Sequence, residues 1–104
     1  MARMIVIYRT PRDPAAFDRY YFETHVPLAK KLPGLRKFEV NAGPVAQPHG
    51  GTPVHLVATL YFDDMAAIQQ AFASAPGQAC AEDVKVFAPD PASLQMLLFD
   101  DREV

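Results

Sequence analysis

Cysteine is nearly missing from this 104-residue chain, where Cys80 stands alone. A single thiol excludes an internal disulfide and cannot by itself build a zinc cluster. Also missing is an excess of either charge. Ten Lys and Arg against twelve Asp and Glu leave a net charge of −2 with no block of one sign. Nucleic acid and anionic membranes select a basic footprint, and neither is expected as a partner. No apolar run approaches the ~18 residues of a membrane span. No signal-peptide pattern precedes the first apolar segment, so a cytoplasmic, reducing setting is the expectation. The histidines are three, His25, His49 and His55, with no His-x-x-x-His pair and no Cys-x-x-Cys, and no metal is called for. His49-Gly50-Gly51-Thr52 leads into a strand pattern and not a helix, so it makes no phosphate cradle. No cofactor is implied.

Half of the residues are apolar, and the length suits one domain spanning 1–104 with a core of its own. Arg3 to Arg9 is a β-branched run, apolar on both alternate sets, which predicts a strand covered on both faces. Asp13-Pro14 marks a helix start: the carboxylate accepts from a free backbone N–H, and proline at the first position gives up a donor that had no partner. Phe17, Tyr21, His25, Leu28 and Leu32 then share one helical face. Pro27 interrupts that pattern and predicts a kink or restart, with Thr24 capping the second half. Pro33-Gly34 ends it.

Leu35 to Ala42 alternates Phe38, Val40 and Ala42 against Lys37, Glu39 and Asn41, the pattern of an edge strand. Gly43 to Pro53 is a connection without regular structure. Val54 to Phe62 is the longest β pattern, with Leu56, Ala58, Leu60 and Phe62 facing one way and His55, Val57, Thr59 and Tyr61 the other. Asp63 or Asp64 caps a helix burying Met65, Ile68 and Phe72. Ala75-Pro76-Gly77 breaks it, and Cys80, Val84 and Phe87 carry a further short helix. Ser93 to Phe99 is the last strand. The order, strand, helix, strand, strand, helix, strand, is the split βαβ pattern of an α+β ferredoxin-like fold with a four-stranded antiparallel sheet. Right-handed crossovers put both helices on one sheet face. The other face carries apolar and aromatic residues and needs a cover; a second copy, sheet against sheet, gives a two-fold homodimer.

Several side chains carry chemistry. His25 has an ordinary pKa near ~6.5, so a pocket can poise it as acid or base; alternatively it is a packed histidine satisfied by a backbone carbonyl. His55 lies opposite Leu56 in the alternation, and periodicity leaves open whether it lines a cavity or a dimer interface. His49 belongs to the Pro-Gly loop. Tyr8, Tyr20, Tyr21 and Tyr61 offer hydroxyls that orient a carbonyl or phenol, or serve as amphipathic packing. Asp83 either orients an imidazole or is a helix-surface charge. Cys80, on an apolar helix face, reads as an inert core thiol.

The segments YYFETHVPLAKKLPGL after the MIVIYR strand, YFDDMAAIQQAFAS, and GQACAEDVKVFA before the last strand together resemble the EthD family of dimeric α+β barrel proteins. The histidine followed by Pro-Leu and later Leu-Pro-Gly-Leu is the most specific part. The resemblance implies a barrel formed by two sheets in a homodimer and a small apolar pocket between sheet and helices. It also implies an activity of the isomerase, cyclase or cofactor-free monooxygenase type on a small carbonyl or aromatic compound, in a degradation or secondary-metabolite pathway. The family histidine maps onto His25, and its neighbour Tyr21 and the acidic position Asp83 match the family pattern more loosely. Neither His49 nor His55 is assigned by the family motif; from the residues and the resemblance together, the catalytic candidates are His25, His55 and Tyr21, and the substrate-binding candidates Tyr8, Phe38, Tyr61 and Asp83. The alternative is a non-catalytic ligand-binding or accessory protein in which His25 is structural.

Overall fold

The computed structural model describes all 104 residues. β1 (Ala2–Arg9) is followed by α1 (Pro14–Tyr20), a π-helical turn (Tyr21–His25), α2 (Val26–Ala29), β2 (Lys37–Val40) and β3 (Val54–Phe62). Then come α3 (Met65–Ala73), α4 (Ala75–Phe87), a 3₁₀ turn (Pro91–Ser93) and β4 (Leu94–Asp100). The four strands form one antiparallel sheet in the order β2-β3-β1-β4. β1 and β3, the two segments with apolar residues on both alternate sets, occupy its centre. No helix is long and apolar enough to cross a membrane.

The period-2 alternation divides the sheet into two chemically different faces. Ala2, Met4, Val6 and Tyr8 of β1 are buried with Leu56, Ala58, Leu60 and Phe62 of β3 on the face that the helices cover. The opposite face carries Arg3, Ile5 and Ile7 beside Val57, Thr59 and Tyr61, and on β4 Leu97 and Phe99, which are 41% and 40% exposed. Tyr61 is held on that face by charge: its hydroxyl donates to Glu39 at 2.7 Å, and the Arg3 guanidinium sits 4.9 Å above its ring.

The caps expected at Asp13 and at Asp63 or Asp64 form. Asp13 Oδ1 accepts from Ala16 N–H at 3.1 Å and Asp64 Oδ1 from Ala67 N–H at 2.8 Å, while Asp63 is committed to a two-pronged pair with Arg36. Gly34 takes φ +80°, the left-handed conformation that closes the turn after α2. The 43–53 connection holds no helix or strand and is tied by Gln47, whose amide donates to Thr52 and accepts from Val54 N–H.

Three local expectations need correction. The helix does not break at Pro27. It widens: Val26 N–H bonds the carbonyl of Tyr21, five residues back, and the backbone stays right-handed helical throughout. Widening accommodates a proline that offers no N–H and whose ring would strike the carbonyl four residues earlier. Thr24 consequently caps nothing, and the extra residue moves the next buried position from Leu28 to Ala29, which is 1% exposed. Ala75-Pro76-Gly77 also does not simply break a helix. The chain turns at Ser74, whose Oγ accepts from Gly77 N–H, and these three residues are the first turn of the 13-residue α4. Gly77 is required there because a Cβ would lie 2.0 Å from the carbonyl oxygen of Ala71; its absence lets α4 press against α3.

Candidate functional site

Between the sheet and the helices lies a cleft of about 710 Å³, and 17 of its 22 lining residues are hydrophobic. Met4, Val6 and Ala58 form its floor and Phe38 and Phe72 part of its walls. Met96 and Leu98 of the edge strand β4 line it too and remain 42% and 41% exposed. Gln69 of α3 and Lys85 add polar groups to the lining, and Tyr21, His25 and Cys80 line it where the π turn faces α4.

His25 is the centre of that polar end. Successive steps of four residues put Phe17, Tyr21, His25 and Ala29 on the buried side; each step overshoots a turn of 3.6 residues, and the π turn absorbs the overshoot. The imidazole is 5% exposed and packs 4.8 Å, centroid to centroid, from Phe87. Its Nδ1 lies 3.0 Å from Oδ2 of Asp83, itself 9% exposed, and Oδ1 of the same carboxylate accepts from the Tyr20 hydroxyl at 2.6 Å. A carboxylate only accepts, so Nδ1 carries the hydrogen and Nε2 keeps its lone pair. Burial is the larger influence on His25 and lowers its pKa; the bond to Asp83 works in the opposite direction. The imidazole is therefore neutral and oriented, bonded to a side-chain carboxylate and not to backbone.

Tyr8 and Tyr21 complete the polar end. They are 2% and 1% exposed, their rings meet edge-on at 5.6 Å, and both line the cleft. Neither hydroxyl bonds a protein group, and neither is sealed from the cleft. Burial, with smaller contributions from neighbouring groups, raises both phenols, so both stay protonated donors. Cys80 Sγ lies 3.9 Å from His25 Nε2, and burial together with Asp83 pushes its thiol up to about 11. Asp83 and Cys80 stand at opposite ring nitrogens and do not converge on one point, and no group of three His, Cys, Asp or Glu side chains is arranged to hold a metal ion.

His25, Tyr21, Tyr8, Phe38 and Asp83 thus come together. His55 and Tyr61 do not join them. The register slips between Tyr8 and Arg9, which pair with Leu56 and Val54, leaving His55 unpaired between them. Such a bulge re-aims a side chain. His55 Nε2 meets Asp18 at 2.6 Å and its ring lies edge-on to Phe17, in a separate cleft bordered by Asn41 and Phe22. Tyr61 points away, to the outer sheet face, as the strict alternation from Leu60 demands. His49 is exposed in its loop. Tyr20 is the residue that sequence reasoning left among general packing tyrosines. Its off-face position was visible, but the carboxylate it meets is 63 residues away.

The family model for the EthD domain matches residues 9–91, a span that includes every polar group of the cleft except Tyr8. The chain belongs to the EthD family. An uncharacterized 11.0 kDa protein in the thcB-thcC intergenic region of Rhodococcus erythropolis is 40% identical over 99% of this chain and 96% of that protein. An EthD family protein from Bacillus halodurans is 34% identical, and its crystal structure superposes with a TM-score of 0.86 over 98% of this chain and 99% of the other. SnoaB, a cofactor-independent oxygenase from Streptomyces nogalater, shares the fold at 16% identity with a TM-score of 0.64, covering 99% of this chain and 94% of its own. The EthD protein described here therefore has the ferredoxin-like fold common to these neighbours.

Proposed function

We propose that this EthD protein is a cofactor-independent enzyme of the isomerase, cyclase or oxygenase type, acting on a small, largely apolar carbonyl or aromatic compound in a degradation or secondary-metabolite pathway. One observation carries the reading: a buried neutral imidazole, fixed through Nδ1 by Asp83, keeps its Nε2 lone pair beside the Cys80 thiol at the wall of an apolar cleft that Tyr8 and Tyr21 also line. His25 acts as general base on a C–H or O–H made acidic by an adjacent carbonyl or ring. Tyr21 and Tyr8 donate to the oxygen on which negative charge develops, in a site poor in competing water. Asp83 holds the imidazole in the productive tautomer, and Phe38 and Phe72 enclose the apolar body of the substrate. The oxygenase activity named for SnoaB is consistent with such a first proton abstraction.

The outer sheet face forms a homodimer interface in this reading, since Ile5, Ile7, Leu97 and Phe99 otherwise present a contiguous apolar patch to water. A protein of ferredoxin-like fold from Bacteroides fragilis, 16% identical, is described as dimeric.

The test is an NMR titration of His25 in wild type and His25→Gln against a panel of lactones and phenols. A titration that moves with a ligand, together with turnover of that ligand reduced by about 10²-fold or more in His25→Gln, supports the enzyme. A His25 that ignores every ligand in wild type, with a His25→Gln variant that loses only stability, leaves an accessory protein with a structural histidine.

A further inference from the structure

The proton transfer proposed above makes no use of Cys80, yet the thiol occupies a position that a packing residue does not need. Its Sγ lies 3.9 Å from His25 Nε2, the nitrogen freed when Nδ1 donates to Asp83 at 3.0 Å. Cys80 and Asp83 are three residues apart on α4, so one helix supplies both ends of the series sulfur, imidazole, carboxylate. That is the order of a nucleophile, its base and the group that orients the base. Cys80 also lines the cleft wall. Independently of this series, Tyr8 and Tyr21, 98% and 99% withdrawn from solvent, line the same cleft, and neither hydroxyl is bonded to a protein group. Such donors await an oxygen that the protein itself does not provide.

We infer that Cys80 is a nucleophile for a small apolar α,β-unsaturated carbonyl compound bound in the cleft, with His25 as the carrier of its proton. Sulfur forms a bond to the β-carbon as the S–H proton passes to Nε2. The electrons of the C=C bond move onto the carbonyl oxygen as an enolate, which the tyrosine hydroxyls hold. The imidazolium then returns the proton to the α-carbon. The sum is a thiol added across a double bond, with no oxidant, reductant or leaving group. Reversal restores the alkene, and rotation about the temporarily single bond gives geometric isomerisation.

Burial keeps the resting thiol protonated, so its reactivity depends on the neighbouring base and not on a standing thiolate.

This inference rests on the same cleft and the same His25 as the proposed function, but the two fail separately. The probe is 2-cyclohexenone near neutral pH, followed by intact mass; with one cysteine in the chain, a thioether adduct has one site. Expected are one adduct per chain in wild type, none in Cys80→Ser, and a rate about 10²-fold lower in His25→Gln. Should His25→Gln fail to fold, Asp83→Asn replaces it, with a fall of about tenfold expected from a mispositioned imidazole. Absence of the adduct, or formation at equal rates in wild type and the His25 or Asp83 variant, overturns the inference. If the adduct is absent while the His25 titration still responds to ligands, only the covalent step falls. If the adduct forms while His25 responds to no lactone or phenol, the proton-transfer reading falls and the nucleophile stands.

Discussion

The protein contains two histidine-aspartate pairs of similar length and opposite surroundings. His25 and Asp83 meet at 3.0 Å, both nearly sealed, with side chains 6% and 9% exposed. His55 and Asp18 meet at 2.6 Å with side chains 21% and 46% exposed. Contact distance therefore says little about what a pair does. In the first, water is excluded, the carboxylate has a second donor in Tyr20, and the remaining ring nitrogen meets the Cys80 thiol at the wall of an apolar cleft. In the second, half of the carboxylate faces solvent, which screens the interaction and supplies substitute partners. Only the first pair has the means to move a proton in a dry site.

Three experiments sharpen this contrast, in decreasing order of effect. Asp83→Ala leaves the buried Nδ1–H and the Tyr20 hydroxyl without their acceptor, and a loss of about 2–3 kcal/mol is expected in denaturant unfolding. A loss below about 1 kcal/mol would erase the distinction between the pairs. The second is pH. His25 takes up a proton in the unfolded chain near its ordinary value of 6.5 but resists it when folded, because its pKa is lowered by burial. Below that value the unfolded state binds more protons, so stability falls as pH drops from about 7 to 5 and is fully present above. In His25→Gln that acid-side slope should flatten; an unchanged slope would place its origin elsewhere. The smallest effect belongs to Asp18→Ala, for which a cost of about 0.5 kcal/mol or less is expected, and less again in high salt.

The layout of the fold was legible because it rests on periodicity. Tyr8 and Phe62 are core residues for the same reason that Tyr61 is not: alternation puts neighbours on opposite faces. The expectation of Tyr61 in the binding site failed only because nothing in the alternation says which face the helices cover. His55 was undecidable for a different reason. The register slip beside it is a property of the pairing of β1 with β3, not of either strand. Pro27 and Pro76 were both read as breaks; the cost of each is local, and a widened turn in one case and a helix start in the other removes it. The grouping of His25 with Asp83 came from the family resemblance. Its physical origin, α4 crossing the π turn closely enough for side chains 58 residues apart to bond, depends on Gly77 and Ser74 and has no local signature.

The widened turn has a further meaning for how this chain tolerates change in length. A π turn holds one residue more than the α-helix would use, so deleting a residue between Tyr21 and His25 would restore an ordinary helix without disturbing its start. Everything downstream would keep its phase relative to α1, because the widened turn alone had absorbed the extra residue. A helix gained in this way would be more regular, and the change would be confined to the segment that sets His25 opposite Asp83. In hereditary terms the segment can lose a codon and keep its fold, and the spacing of His25 from Tyr21 is what the loss would alter.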